Sequence, residues 1–237
     1  MDDTSNPHEL FLFLASTAHD MKNSISILSG TLERLLVAQF PKTSPQSEPS
    51  YLPMAHMLYQ TKRLNDNLMQ LLALHKQVGK PEYPFDVQPL QLGQLVDQVV
   101  AMERVLLHSR GIQLELDCDP ALLWHFDEDL IVSVLSHAIN NAIHYTRDRV
   151  RLAIREDDGW LELRVEDNGA GYPPVLLNAG EGDLAAGDAD FLTNSAGLGL
   201  YFSREVAKMH RHRGRHGTLR LENGGKFGGG CFILRLP

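Results

Sequence analysis

The feature that most constrains the fold is a pair of apolar repeats with alternating spacings of three and four residues. Such spacing places apolar residues along one stripe of an α-helix, as in coiled coils. The first repeat consists of Phe11, Leu14, Ala18, Met21, Ile25, Leu28, Leu32 and Leu35. The second consists of Met57, Thr61, Leu64, Leu68, Leu71, His75 and Val78. Prolines recur from Pro41 to Pro53 between the two repeats, so that stretch is predicted to be a connection.

Two helices joined by a short connection form an antiparallel hairpin with one apolar stripe on each arm. A single hairpin cannot bury both stripes, whereas two hairpins close a four-helix bundle. We therefore predict a homodimer formed through residues 9–78, within a first domain that covers residues 1–80.

The remaining residues, 81–237, have the pattern of a second domain of α+β type. We predict helices over 90–107, 130–144 and 198–209, and strands over 112–118, 150–154, 161–165 and twice within 218–236. The turn Asp157-Asp158-Gly159 between two alternating runs indicates a β-hairpin. These elements would form a layer of helices on a mostly antiparallel sheet. Residues 171–197 are rich in Gly, Ala and Asp with weak periodicity, which predicts a mobile loop.

Composition and charge argue against several classes of protein. A formal net charge of −8 disfavours a general nucleic-acid binder, because such proteins carry a basic face. Two distant cysteines, Cys118 and Cys231, fit a reducing cytoplasmic setting better than a disulfide framework. The sequence contains neither a signal-peptide pattern nor an apolar run near ~18 residues, so we expect no membrane insertion.

A polar turn in the first helix includes a candidate nucleophile. His19 flanks the apolar stripe and is followed by Asp20, Lys22 and Asn23. Asp20 could hold one imidazole nitrogen and thereby make the other more nucleophilic. A solvated helix face explains the same residues, and for this pattern alone it is the better explanation.

Two glycine-rich segments in the second domain suggest ligand binding. Asp167-Asn168-Gly169-Ala170-Gly171 follows a predicted strand, where glycines let the backbone approach a flat ligand while the carboxylate accepts from an amine. Gly197-Leu198-Gly199 opens a predicted helix, whose bare amides suit phosphate groups. An ordinary turn and a simple helix start remain the alternatives.

The helix predicted over 130–144 carries polar residues within an apolar run. His137 and Asn141 are four residues apart and therefore share one face. An amide oxygen there could bind Mg²⁺ together with phosphate oxygens and water. Hydrogen-bonded polar groups in a core explain the pattern equally well.

In their order and spacing these segments resemble the sensor histidine kinases of two-component signalling, over almost the full chain. The matching segments are His19–Asn23 for the H box, Ser136–Thr146 for the N box, Asp167–Gly171 and Gly197–Gly199 for the two glycine boxes, and Gly224–Pro237 for the last two strands.

The resemblance implies a helical phosphoacceptor domain, residues 1–80, followed by an α/β-sandwich ATP-binding domain, residues 81–237, of the type shared with gyrase and Hsp90. It implies ATP and Mg²⁺ as cofactors, with Asp167 accepting from the adenine amino group, Tyr145 near the ring and Asn141 on the metal. The other implied cofactor-binding residues are His137, Gly169, Gly171, Gly197, Leu198 and Gly199.

By the same resemblance, His19 would take the γ-phosphoryl group and pass it to an aspartate in the receiver domain of a response regulator. Asp20 and Asn23 would complete the catalytic residues, in a pattern that the family links to dephosphorylation of the regulator. No sensing domain is apparent before the hairpin, so we expect the input to come through a partner such as an upstream sensor protein, through nucleotide or redox state, or through the bundle itself.

Among the departures from the usual pattern of the family, two lie in the N-box segment. His137 stands where the N box often has Asn, and His144 where Lys or Arg is common. They motivate an alternative hypothesis, a catalytically idle adaptor that binds nucleotide and regulators or a partner kinase without phosphorylating itself. A gyrase-like ATPase that uses nucleotide to change shape is a third hypothesis, which the hairpin bearing His19 disfavours.

Overall fold

A computed structural model describes residues 21, 24–25, 27–36, 50–51, 53–62, 64, 85–179 and 195–237. The Cα positions divide the chain into two compact units, Met1–Pro81 and Glu82–Pro237. The functions assigned to the two units from the sequence stay predictions.

In the first unit, residues 27–36 and 53–62 are helical, in agreement with the apolar repeats. Lys62 Nζ lies 3.1 Å from Glu33 Oε1, so an ion pair joins the two segments. The complete hairpin, its proline-rich connection and the polar turn with His19, Asp20 and Asn23 lie outside the described residues.

The burial pattern of the first unit separates two faces. The buried apolar residues are Leu32, Leu36, Tyr51, Ala55, Leu58 and Tyr59. Five residues of the predicted repeats are exposed in the single chain: Met21, Leu28, Leu35, Met57 and Leu64. Most described members of the repeats therefore mark a stripe that the unit itself does not cover.

The second unit contains four helices and nine strands within residues 85–179 and 195–237. In chain order they are β1 (Gln88–Gln91), α1 (Leu92–Ser109), β2 (Gln113–Cys118), β3 (Leu123–Phe126), α2 (Glu128–Tyr145), β4 (Arg149–Asp157), β5 (Trp160–Asp167), α3 (Pro174–Ala179), α4 (Ser195–Met209), β6 (Arg211–His212), β7 (Arg215–His216), β8 (Thr218–Gly224) and β9 (Gly229–Leu236).

Five of the strands form a mixed sheet in the order β2-β4-β5-β9-β8. The β2–β4 pair is parallel and the other three pairs are antiparallel. Parallel neighbours need a crossover connection, which here runs through β3 and α2. The sheet is thus mostly antiparallel, as predicted, with one parallel edge pair.

Cross-strand registers build the apolar face of this sheet in rows. Leu152 on β4 pairs with Val165 on β5, which pairs with Phe232 on β9, and Phe232 pairs with Leu221 on β8. All four side chains are buried. Because side chains alternate along a strand, the other face carries charges instead, such as Arg151, whose guanidinium bonds Glu166 at 2.9 Å.

Helix α2 brings the polar residues of the N-box-like segment into this core. It begins after Asp127, whose Oδ1 accepts from Leu130 N at 3.0 Å, and its first turn carries Glu128 and Asp129. An N-cap carboxylate and acidic residues at this end stabilise a helix through its unpaired amides and its dipole.

Three local predictions were wrong or incomplete. The helix predicted over 90–107 begins only at Leu92, because Leu90 belongs to β1 and pairs with Trp124 on β3. Strand β3 was missed altogether, since a four-residue strand shows too little alternation to detect. The predicted loop over 171–197 contains α3 and the start of α4, whereas residues 180–194 lie outside the described part.

Residues 211–216, which follow α4 and are rich in His and Arg, form the short hairpin β6–β7, with Arg213 and Gly214 at positive φ in its turn. His210, just before it, is buried and bonds both Val206 O and Asp127 N through its two ring nitrogens. None of the helices in the described parts of the chain has the length and apolar content that a membrane span requires.

Candidate functional site

A cavity of about 200 Å³ lies in the second unit where helices meet the ends of β5 and β9. Its lining residues are Asn141, Ala142, Tyr145, Asp167, Gly171, Tyr172, Pro173, Leu176, Leu200 and Gly230. A concave site with mostly apolar walls and a few polar groups is typical of small-molecule binding.

Asp167, the last residue of β5, is held in a fixed orientation at this cavity. Its Oδ1 accepts hydrogen bonds from Gly169 N at 2.6 Å and from Gly230 N at 3.2 Å. The residue is only 7% exposed. A carboxylate anchored through one oxygen keeps acceptor capacity on the other, so Asp167 can accept from a ligand amine.

Three glycines make room for this carboxylate. A Cβ atom on Gly229 would lie 2.4 Å from Asp167 Oδ1, one on Gly230 2.8 Å from Oδ2, and one on Gly169 2.3 Å from the carbonyl oxygen of Tyr145. Gly169 is thus required by packing within the protein, and its predicted approach to a ligand stays a prediction. Gly229 was missed, although the run Gly228-Gly229-Gly230 was a visible signal.

Asn168 organises the turn between α2 and β4. Its Oδ1 accepts from Thr146 Oγ1 at 2.7 Å and from the main-chain N–H groups of Arg147, Asp148 and Arg149 at 3.1–3.2 Å. The amide therefore ties the end of α2, which carries Tyr145, to the strand end that carries Asp167. Sequence reasoning gave Asn168 no role.

Asn141 and His137 are brought together on one face of α2, as their spacing predicts. Asn141 Nδ2 lies 2.9 Å from His137 Nε2. Burial lowers the pKa of His137 to about 4, so its imidazole is neutral near pH 7 and Nε2 accepts from the amide. Because the amide nitrogen is used, the oxygen of Asn141 is the atom directed to other partners.

Gly199 lies against the same histidine. A Cβ atom on Gly199 would be 1.7 Å from His137 Nε2, so the bare backbone of α4 packs directly on the imidazole of α2. His137 is not among the residues that line the cavity. The structure therefore places His137 and Gly199 together as a packing pair between two helices.

Two tyrosines border the cavity in different ways. Tyr145 is 62% exposed and meets the ring of His144 edge-on, with centroids 4.7 Å apart. Burial and the nearby charge of Asp167 raise the pKa of Tyr172 above its usual value, so its phenol stays protonated. Tyr172 was missed, as were the apolar lining residues Pro173, Leu176 and Leu200.

The structure thus brings Asn141, Tyr145, Asp167 and Gly171 together at one cavity. Gly197 and Leu198 lie in the first turn of α4, where only the backbone is described. Among the described residues, no three His, Cys, Asp or Glu side chains form a metal-binding group. The donor set fits an ion that takes one amide oxygen from the protein and its other ligands from phosphate and water, as Mg²⁺ does.

Residues 126–237 match the protein family described as histidine kinase-, DNA gyrase B- and HSP90-like ATPase. The sensor protein KdpD of Escherichia coli (strain K12) is 28% identical over 226 residues, which are 94% of this chain and 24% of KdpD. The sensor-like histidine kinase SenX3 of Mycobacterium tuberculosis (strain ATCC 25618 / H37Rv) is 26% identical over 95% of this chain and 53% of SenX3. The chain thus spans between about a quarter and about half of these relatives.

A solved structure shows the same fold. The Acinetobacter baumannii histidine kinase AdeS aligns with a TM-score of 0.53 and 18% identity, covering 92% of this chain and 96% of AdeS. The matched segment contains α2, both glycine-rich segments and every lining residue of the cavity. Residues 126–237 therefore have the sequence pattern of a histidine kinase-, DNA gyrase B- and HSP90-like ATPase, and the relatives that match over most of the chain are sensor kinases.

Proposed function

We propose that this chain is an ATP-dependent protein histidine kinase that phosphorylates its own His19 and passes the phosphoryl group to an aspartate of a response regulator. The observation that carries the proposal is the carboxylate of Asp167, anchored by two backbone amides at the cavity of an ATP-binding domain.

Three residues of the cavity have a defined role under this proposal. Asp167 accepts from the exocyclic amine of adenine, and the exposed ring of Tyr145 covers one side of the base. Asn141 offers its amide oxygen to Mg²⁺, which neutralises charge on the phosphates when bound. The protein contributes mainly positioning, so that the imidazole of His19 takes the γ-phosphoryl group while ADP leaves.

The first experiment is incubation with γ-labelled ATP and Mg²⁺, together with a separate measurement of ATP affinity. Wild type should acquire an acid-labile, alkali-stable label, and His19→Ala should bind ATP normally but remain unlabelled. Asp167→Asn should bind ATP at least about tenfold more weakly, because its amide places N–H donors against the Gly169 and Gly230 amides or the adenine amine.

A matched control is Asp157→Asn, which changes an exposed aspartate at the opposite end of the β4–β5 hairpin. This variant should bind ATP and acquire label like wild type. ATP binding by wild type without any label would favour the adaptor hypothesis. A label that persists in His19→Ala would show that His19 is not the acceptor.

The predicted roles of Asp20 and Asn23 extend the proposal to dephosphorylation of the regulator. Adding the unlabelled chain to a phosphorylated receiver domain should then accelerate phosphate release, and Asn23→Ala should abolish that acceleration while leaving autophosphorylation in place. Equal decay rates with and without the chain would refute the phosphatase role.

A further inference from the structure

The side chain of Asn223 forms two hydrogen bonds with the main chain of Tyr172. Asn223 Oδ1 accepts from Tyr172 N at 2.6 Å, and Asn223 Nδ2 donates to Tyr172 O at 2.8 Å. The amide thus reproduces the double pairing that a neighbouring strand would make with one residue. It fastens the segment after β5 to the far edge of the sheet, 51 residues away in sequence.

Asn223 reaches this segment from the inner face of the edge strand β8. It lies two residues beyond the buried Leu221 and therefore on the same face of the strand. Its register partner on β9 is Gly230, a lining residue of the cavity. Asn223 itself is exposed and does not line the cavity.

Gly171 is adapted to this contact. Its φ is +82°, a conformation that favours glycine, and a Cβ atom there would lie 2.7 Å from Asn223 Oδ1. A side chain at position 171 would push the amide away. The last glycine of the first glycine-rich segment therefore serves the Asn223 contact.

The two hydrogen bonds of Asn223 affect the cavity through Tyr172. Its ring lies against the bare backbone of Gly230, where a Cβ atom would be 3.1 Å from the ring Cε2 and 2.8 Å from Asp167 Oδ2. The position of the Tyr172 main chain thus sets the wall beside Asp167. Pro173 and Leu176, which also line the cavity, follow directly from this point.

We propose that Asn223 is a positioning residue of the nucleotide site, which holds the Tyr172 main chain so that the cavity keeps the shape that accepts the base. The inference rests on the proposed function, because the ligand is the nucleotide of that site. When a binding-competent conformation is only partly populated, the apparent affinity falls by that fraction. Losing two hydrogen bonds from a surface segment is enough to leave about one molecule in ten competent.

The experiment measures the affinity of the full chain for ATP by calorimetry, and its unfolding in urea without nucleotide. Asn223→Ala should weaken ATP binding about tenfold. Asn223→Asp keeps the acceptor for Tyr172 N but sets a carboxylate oxygen against Tyr172 O, so it should also weaken binding. Arg220→Ala, on the outer face of the same strand, should bind like wild type.

The urea measurement separates positioning from a general loss of stability. Asn223→Ala should remain almost fully folded without nucleotide, so its weaker ATP binding reports the shape of the site and not an unfolded fraction. Wild-type affinity in both Asn223 variants, or a loss of affinity in Asn223→Ala no larger than its unfolded fraction accounts for, would overturn the inference while leaving the proposed function intact. A wild-type chain that does not bind ATP would overturn both.

Discussion

At the residue scale, the amide of Asn168 holds the turn that links α2 to β4, since one oxygen serves four donors from Thr146 to Arg149. Asn168→Ala leaves the three main-chain amides without their acceptor, whereas the Thr146 hydroxyl keeps Arg149 O. We expect the free energy of unfolding, measured in urea, to fall by about 2–3 kcal/mol.

Asp148→Ala is the control for Asn168, because it removes only exposed contacts, those of Asp148 Oδ1 with Asn168 Nδ2 at 2.7 Å and with Arg149 Nε at 3.8 Å. Its effect should stay below about 0.5 kcal/mol. Equal stability of Asn168→Ala and Asp148→Ala would contradict the role assigned to the amide oxygen.

The buried imidazole of His137 predicts a dependence of stability on pH. Burial lowers its folded-state pKa from 6.5 to about 4, so the unfolded chain takes up a proton that the folded chain refuses across this window. The contribution of the neutral imidazole to the free energy of unfolding is therefore complete above about pH 6.5 and is lost as the pH falls towards 4. Between pH 7 and pH 5 the loss should reach about 2 kcal/mol.

His137→Gln tests this prediction, because it keeps a polar acceptor but cannot titrate. The free energy of unfolding should be measured in urea at pH 7, 6 and 5. Its decrease between pH 7 and pH 5 should be about 2 kcal/mol smaller in the variant than in wild type. A residual slope of the same sign is expected from His210, whose pKa burial also lowers. Identical slopes in wild type and variant would exclude His137 as the titrating group.

At the element scale, the crossing of α4 over α2 depends on Gly199. Gly199→Ala would place a methyl group 1.7 Å from His137 Nε2, and the buried imidazole is itself bonded to Asn141. We expect a loss of about 3 kcal/mol or more in unfolding free energy, because neither helix can shift without opening the core.

Two further variants isolate that contact. Gly199→Ala in a His137→Ala background should lose less than about 1 kcal/mol relative to that background, since the clashing ring is gone. Gly30→Ala, at a helical glycine with open space around its Cβ, should be neutral or stabilising by up to about 1 kcal/mol. A strong effect of Gly199→Ala in both backgrounds would place the clash elsewhere.

At the scale of the whole molecule, the exposed stripe of the first unit predicts self-association. Leu28 is 56% and Met57 53% exposed, although apolar residues in such repeats normally pack against another helix. The double variant Leu28→Glu, Met57→Glu should weaken the predicted dimer at least about 1000-fold, because each copy would bury two charges in place of two apolar side chains.

Sedimentation of wild type and variant across micromolar concentrations measures this effect. Leu123→Glu alters an apolar side chain of similar exposure, 55%, in the second unit and should leave the dimer intact. A monomeric wild type, or a double variant that sediments like wild type, would contradict the four-helix bundle.

Much of the fold was predictable because its signals are local. Alternation marked β4 and β5, and the Asp158-Gly159 turn between them has positive φ at both residues, as a tight hairpin turn requires. The helical period marked α2 and placed Asn141 and His137 on one face. The ordered boxes led to Asp167, Tyr145 and Gly171, which share the cavity.

From the sequence alone we could predict α2, β4 and β5, the buried faces of these elements and the resemblance to ATP-binding domains, because each depends on neighbouring residues or on a recognisable order of motifs. Which distant residues meet depends instead on tertiary packing. Asn223 meets Tyr172, Gly199 meets His137, and β2 pairs in parallel with β4. Periodicity tells which way a side chain faces, whereas its partner depends on how separate elements pack, and one missing Cβ atom is enough to change that packing.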